Sequence, residues 1–275
     1  MIVWTEYEPG SHRIECPSCG RGGRDKTAGL KLEHDGKGVV HCFRCGYVET
    51  GNPEGAAVRR TPVAVAPAKA QSPVRTDLSE WGRELWRNCH PLNGVAVSYL
   101  KARNCRVPPE DGHLRYHPAL KHHSGHVGPA LVALITHVMT GNHLSLHRTW
   151  ITPTGKADVD PPRMLLGNHS ITGGCIRLWP DEAVTYGLGL AEGIETALSL
   201  AWGYTPVWAT IDAGHLASFP VLEGVESLVI AQDQDAAGVA AASACACRWA
   251  AADREVLVTR QPENDLNDVL AEVSA

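Results

Sequence analysis

Two Cys-x-x-Cys pairs, Cys16-Pro-Ser-Cys19 and Cys42-Phe-Arg-Cys45, stand 22 residues apart, and each is followed by a glycine, Gly20 or Gly46. No other feature of the chain restricts its folding so tightly. A Cys-x-x-Cys-Gly turn forms a knuckle whose two thiolates face one tetrahedral ion, so two knuckles close a four-thiolate zinc site. Between them, Gly29 to His41 alternates around a Gly-rich turn and reads as a β-hairpin running into the second knuckle. The expectation is a zinc ribbon over residues 1–50, with Cys16, Cys19, Cys42 and Cys45 as ligands. His41 is the alternative ligand beside Cys42, and a dithiol redox role is the competing use of the pairs. Nine cysteines, an odd count, and a start without a signal-peptide pattern favour metal binding and free thiols over disulfides, and a cytoplasmic protein. No apolar run approaches the roughly 20 residues that span a bilayer, so no membrane partner is expected.

Zinc would fix the ribbon without saying what it touches. Arg21, Arg24, Lys26, Lys31, Lys37 and Arg44, with Phe43 and Tyr47, offer cationic and stacking groups suited to single-stranded nucleic acid. Packing of the ribbon's small core is the other use for the two aromatics. Residues 51–77 are rich in Pro, Ala and Gly with no helical stripe, and read as a flexible linker.

From Asp77 the pattern turns helical, through Leu78, Trp81, Leu85 and Trp86, breaks at Pro91, and resumes from Val95 to Leu100. Pro129–Met139 and Leu144–Ile151 read as two strands joined by a Gly-Asn turn. Arg148, Lys156, Arg163 and Arg177 recur along residues 78–182 as candidates for holding nucleotide phosphates or template on a basic edge. His113, His117, His122, His123 and His126 could suggest a second metal site, but their irregular spacing without paired acids favours scattered surface histidines.

The final third alternates strand and helix: strands at Val184–Leu190, Pro206–Ile211, Ser227–Gln232 and Glu255–Thr259, helices at Glu192–Trp202 and Ala236–Ala252. Such alternation calls for a mainly parallel sheet, whose sites form at the carboxyl ends of its strands. Glu192 stands at one such end, and Asp233 and Asp235 at another, in Leu228-Val-Ile-Ala-Gln-Asp-Gln-Asp-Ala-Ala-Gly238. Adjacent carboxylates repel unless a cation lies between them, and hard oxygen ligands suit Mg2+ or Mn2+. Gly187-x-Gly189 is not a dinucleotide fingerprint, because the pair lies within the strand and Gly193 falls one place late. Charge divides the same way: residues 1–76 hold 11 Lys and Arg against 8 acids, residues 77–180 hold 11 against 7, and residues 181–275 hold 3 against 15. The net charge of -5 therefore conceals a basic front and an acidic end, as a polyanion track beside a cation site would require.

Glu192-Gly, the later Asp233-x-Asp235 and the intervening alternation resemble the Toprim domain shared by topoisomerases and bacterial-type primases. A four-cysteine ribbon ahead of it, with a basic region between, is similar to the zinc-binding primases of phages and mobile elements; Glu192-Gly-Ile-Glu-Thr-Ala-Leu198 and Pro162-Arg-Met-Leu-Leu-Gly167 resemble the mobile-element branch. The resemblance implies an α/β fold: an N-terminal zinc ribbon (1–50), a linker (51–77), a mixed α+β primase region (78–182) and a C-terminal Toprim domain (183–275), a mainly parallel sheet with flanking helices. It also implies a DNA primase, a nucleotidyltransferase of DNA replication that makes RNA primers on single-stranded DNA from ribonucleoside triphosphates. Glu192, Asp233 and Asp235 match its catalytic metal-binding acids, and Asp268, or else Asp265, a further late acid. Glu195 belongs to the branch pattern without an assigned role. Gly155-Lys156 is followed by Ala157 and lacks a partner glycine, so there is no phosphate-binding motor motif and a helicase would be a separate partner. A Toprim-type metal-dependent nuclease and a non-catalytic single-strand-binding module are the alternatives.

Overall fold

The computed structural model describes residues 2–19, 26–42, 44–51 and 74–259, in two compact units, Met1–Gln71 and Ser72–Ala275. Most of the expected linker, together with Arg21, Arg24, Phe43, Asp265 and Asp268, lies outside the described residues.

The first unit is an antiparallel meander of β1 (Gly10–Ile14), β2 (Ala28–Leu32), β3 (Gly38–Cys42) and β4 (Val48–Gly51). The expected hairpin is β2–β3, with Leu30 opposite Val40 and Ala28 opposite Cys42. Alternation puts Ala28, Leu30, Leu32, Val40 and Cys42 on the buried face, where they meet Ile14 and Cys16. Such a core is small for an independent fold and needs a further crosslink.

In the second unit, α1 (Glu80–Arg87) and α2 (Gly94–Ala102) precede β5 (Leu114–Lys121), β6 (Val127–His137), β7 (His143–Trp150), β8 (Arg163–Leu165) and β9 (Gly174–Arg177). Then come β10 (Gly187–Ala191), α3 (Ile194–Leu200), β11 (Val207–Ala209), α4 (Ala213–Ser218), β12 (Ser227–Ala231), α5 (Ala236–Ala250) and β13 (Glu255–Thr259). Ser79 caps α1 by accepting from Gly82 N at 3.3 Å.

All of these strands belong to one sheet, in the order β13-β12-β10-β11-β9-β6-β7-β8, with β5 also on β6. The pairs among β13, β12, β10 and β11 are parallel; those from β11 through β9 to β8 are antiparallel. The acidic end and the basic middle of the sequence therefore share a sheet, joined by Trp208 opposite Arg177 and Ala209 opposite Ile176. The cause is visible in the alternation. Leu131, Ala133, Ile135, Ala191, Val207, Ala209, Val229 and Ala231 turn to one face and form one core with Ala96, Tyr99 and Leu100 of α2 and Ala197, Leu198 and Leu200 of α3. Even-numbered neighbours turn to the other face, Ala130, Val132 and Leu134 against α1, and Leu188, Leu190, Leu228 and Ile230 against α5. Gly187 and Gly189 lie within β10, and a Cβ on either would stand 2.0 Å from the Tyr204 hydroxyl or 2.6 Å from Val207. Their role is packing. No described helix is long and apolar enough to cross a membrane.

Candidate acidic site and four-cysteine centre

Parallel register sets the site. Ala191, the last residue of β10, lies level with Ala231 of β12 on one side and Ala209 of β11 on the other. The residues that follow these three ends emerge together: Glu192 after β10, Asp233 and Asp235 after β12, and Asp212 after β11. Burial, then the charges of Asp233, Asp235 and Asp212, push the Glu192 carboxyl up to about 7. Four carboxylates are thus electrostatically coupled. Asp212 was not anticipated from the sequence, although it obeys the strand-end rule that exposed the others.

Each acid is held by its local chain. β12 stops at Ala231, so Asp235 leaves the strand pattern and caps α5, its Oδ1 accepting from Gly238 N at 2.7 Å. A Cβ on Gly238 would stand 2.7 Å from the Asp233 carbonyl oxygen and 2.8 Å from its Cβ, so the glycine is what lets the helix start against Asp233. Asp212 caps α4, accepting from His215 N at 2.9 Å and pairing with His215 Nδ1 at 2.8 Å, while His215 Nε2 meets the Ile171 carbonyl at 2.7 Å. The hydrogen bond to Asp212 raises the His215 pKa against the effect of burial. Before it, Ile211 adopts φ 77°, a left-handed conformation a β-branched residue takes only under constraint. An all-carboxylate donor set that raises the pKa of its central member fits a hard divalent cation. Among the described residues, these oxygens are not gathered within 4.8 Å of one another as the four cysteine sulfurs are.

Beside Glu192 lies a hollow lined by Gly193, Glu195, His147, Thr149 and Arg163, among others. Glu195, on the first turn of α3, sits 3.3 Å from Lys156 Nζ and 3.9 Å from Arg163 Nη1, and accepts from the buried Tyr99 hydroxyl of α2. Burial alone would raise its pKa; Lys156, Tyr99 and Arg163 outweigh that and hold it below the usual carboxylate range. Thus two of the four basic candidates, Lys156 and Arg163, reach the acids' neighbourhood.

The other two are interior groups. Arg177 is 4% exposed and commits its guanidinium to Asp181, Thr136 and the Val138 carbonyl, with Trp208 4.6 Å beneath it. Arg148, also buried, donates to the Leu165 carbonyl at 3.0 Å. Both are corrected from a basic edge to the inside of the sheet. For Arg148 the reason is strand alternation: on β7 it shares the α1 side with Leu146 and Trp150, whereas His147 and Thr149 face the hollow. Burial pushes His147 down to about 4, so it is neutral, and its Nδ1 is buried without a hydrogen-bond partner. His122, one of the clustered histidines, is buried, its ring nitrogens meeting Ser124 and the Pro161 carbonyl.

In the first unit the sulfurs of Cys16, Cys19, Cys42 and Cys45 all lie within 4.8 Å of one another. Cys16 to Cys45 is 3.6 Å and Cys19 to Cys42 is 3.8 Å. A tetrahedron with Zn–S of 2.3 Å has an edge of about 3.8 Å, so the spacing fits zinc. Ser18 N donates to Cys16 Sγ and Arg44 N to Cys42 Sγ, both at 3.4 Å, as knuckle amides do for thiolates.

Residues 76–178 match the profile of a domain of unknown function (DUF7146), and residues 187–275 match that of the Toprim domain. No curated protein matches. Among solved structures, the primase fragment of the bacteriophage T7 primase-helicase protein is 18% identical, with 95% of each chain covered and a TM-score of 0.44. The Aquifex aeolicus primase, zinc-binding and RNA polymerase domains, is 16% identical, with 98% of this chain and 79% of that one covered and a TM-score of 0.46. By its cysteine cluster, its strand pairing and the match over residues 187–275, the chain carries a four-cysteine, ribbon-like unit, a mixed sheet and a C-terminal Toprim domain.

Proposed function

We propose that this chain is a DNA primase, joining ribonucleoside triphosphates into short primers on single-stranded DNA in the cytoplasm. One observation carries the reading: a Toprim domain whose coupled acids, Glu192, Asp212, Asp233 and Asp235, open beside two cations, Lys156 and Arg163. Acids to hold a divalent cation and cations to hold phosphate are the parts nucleotidyl transfer requires.

Glu192, Asp233 and Asp235 would hold Mg2+ or Mn2+, which supplies charge neutralisation at the transferring phosphoryl group and lowers the pKa of a coordinated hydroxyl. Asp212 adds negative charge at that place, and the His215 pair fixes its direction. Lys156, 29% exposed, and Arg163, 53% exposed, are accessible enough to pair with triphosphate oxygens and neutral enough in sum, with Glu195, not to clamp the pyrophosphate that leaves. In the reaction the primer 3'-hydroxyl gives up its proton to solvent, its oxygen forms a bond to the α-phosphorus, the bond from that phosphorus to the bridging oxygen breaks, and pyrophosphate departs with the electron pair of that bond. No side chain need become covalently attached. The zinc-fitted ribbon and its Lys31, Lys37 and Arg44 would engage template, and unwinding would come from a separate helicase.

The test is to incubate the chain with single-stranded DNA, labelled ribonucleotides and Mg2+ or Mn2+. Labelled oligomers are expected, and the Asp233→Ala, Asp235→Ala double variant should make none. Shortened template would instead indicate a nuclease, and retained DNA without either product a binding module. Primer synthesis by the double variant would overturn the site assignment.

A further inference from the structure

Glu195 has no part in the acid cluster. On the wall of the hollow it shares with Glu192, its carboxylate is engaged by three other groups: Tyr99 from α2, Lys156 from the turn after β7, and Arg163 at the start of β8. Its side chain is 15% exposed, against 29% for Lys156 and 53% for Arg163. The buried partner is therefore the anchor and the exposed ones are the groups it holds. Cys105 Sγ lies 3.5 Å from the Glu195 carbonyl, and Tyr99 is fully buried, so the anchor itself is fixed from behind. Lys156 stands in the connection after β7 and Arg163 at the first position of the short strand β8, and in isolation either long side chain is free to sample many rotamers. Glu195 removes that freedom at the place where the hollow meets Glu192, with neutral His147 and Thr149 on its wall.

We propose that Glu195 is a positioning residue, which presents Lys156 and Arg163 to the phosphates of an incoming ribonucleoside triphosphate. This rests on the reading of the site as a nucleotide site, but not on primer synthesis. A masking contact would have the opposite sign: with the charge of Glu195 gone, freed cations would bind triphosphate more tightly. Positioning predicts looser binding.

The experiment measures binding of fluorescently labelled ATP to the full chain by anisotropy, with Ca2+ present and no template, alongside thermal melting. Glu195→Gln keeps the shape and an acceptor for Tyr99 while removing the charge. The expected result is about tenfold weaker binding with an unchanged melting temperature, and about the same loss for Lys156→Met together with Arg163→Met. Adding Glu195→Gln to that double variant should then cost nothing further, because the anchor has nothing left to hold. Unchanged or tighter binding in Glu195→Gln, or losses that multiply across the combination, would overturn the proposal. If Glu195→Gln melts early, the cation variants decide: wild-type affinity in Lys156→Met, Arg163→Met refutes it. Triphosphate binding with this coupling but no primer synthesis would refute the primase reading and leave the positioning role standing.

Discussion

The sharpest consequence of the acid cluster is that divalent-cation binding should require Glu192 to release a proton near neutral pH. Its carboxyl sits at about 7 through burial and the charges of Asp233, Asp235 and Asp212. At pH 6 about nine-tenths of the molecules would carry that proton, and at pH 8 about one-tenth. If only the ionised form binds, affinity at pH 8 exceeds that at pH 6 about tenfold, or about 1.4 kcal/mol. Protonation of His215 beside Asp212 works in the same direction, so Glu192→Gln is the needed comparison: the ratio should fall well below tenfold. Without cation the sign reverses for stability. A carboxyl whose folded pKa is raised leaves the fold most stable below the unfolded value of about 4.5 and costs stability progressively as pH climbs to about 7. With Glu192 half-buried, screening reduces that loss to about 1–2 kcal/mol. Calorimetric titration with Mg2+ at pH 6 and 8, and melting of the metal-free protein across pH 4–8, would measure both. Equal affinity at the two pH values, or a wild-type stability slope retained in Glu192→Gln, would refute the reasoning.

Three other perturbations separate the parts. Chelation, or Cys42→Ser, should release one zinc per chain and abolish amide protection at Leu30 and Val40, while the melt of the second unit stays in place; protected ribbon amides after zinc loss would contradict the small-core account. Arg177→Met should destabilise the second unit by about 2–4 kcal/mol in denaturant melts, because it strands the Val138 carbonyl and Thr136, yet leave triphosphate affinity alone. Gly238→Ala drives a methyl against Asp233 at under 3.0 Å, so it should cost about 1–3 kcal/mol and weaken Mg2+ binding by calorimetry; a neutral substitution would show that the turn is slack.

The parallel strands were legible because their apolar runs are fully buried, and Glu192 and Asp233 because each follows such a run directly. Asp212 directly follows the expected strand Pro206–Ile211 and was within reach of the same rule; what the sequence did not show is that β11 is only Val207–Ala209 and that Thr210 and the left-handed Ile211 then carry Asp212 beside the other acids. β8 and β9, of three and four residues, are too short for any alternation to register, so the junction of the two sequence regions was invisible. On β7 the strand was recognised but not its facing. Arginine was the more obvious phosphate ligand there, yet period two assigns the site to His147 and Thr149. Glu195 was legible as an oddity and not as an anchor, since Tyr99, Lys156 and Arg163 are distant in sequence and meet only in the fold.

That junction makes a prediction about where this chain can be cut. A boundary near residue 182 follows the change in composition, but it would sever β9 from β11. The Toprim strands would then end in an open edge with Trp208 stripped of Arg177 above it, and the core face of Ala191, Val207, Ala209 and Ala231 would lose Leu131, Ile135, Tyr99 and Leu100. Four large side chains withdrawn from a shared core, at about 1.5–3 kcal/mol each, equal the whole net stability of an ordinary domain. Residues 183–275 alone should therefore aggregate or lack a cooperative melt, whereas residues 72–275 should melt cooperatively. Cooperative unfolding of the 183–275 fragment would show that the sheet is two domains in contact. The acids and the cations that face them would then be free to separate, and Glu195 could not be the fixed point between them.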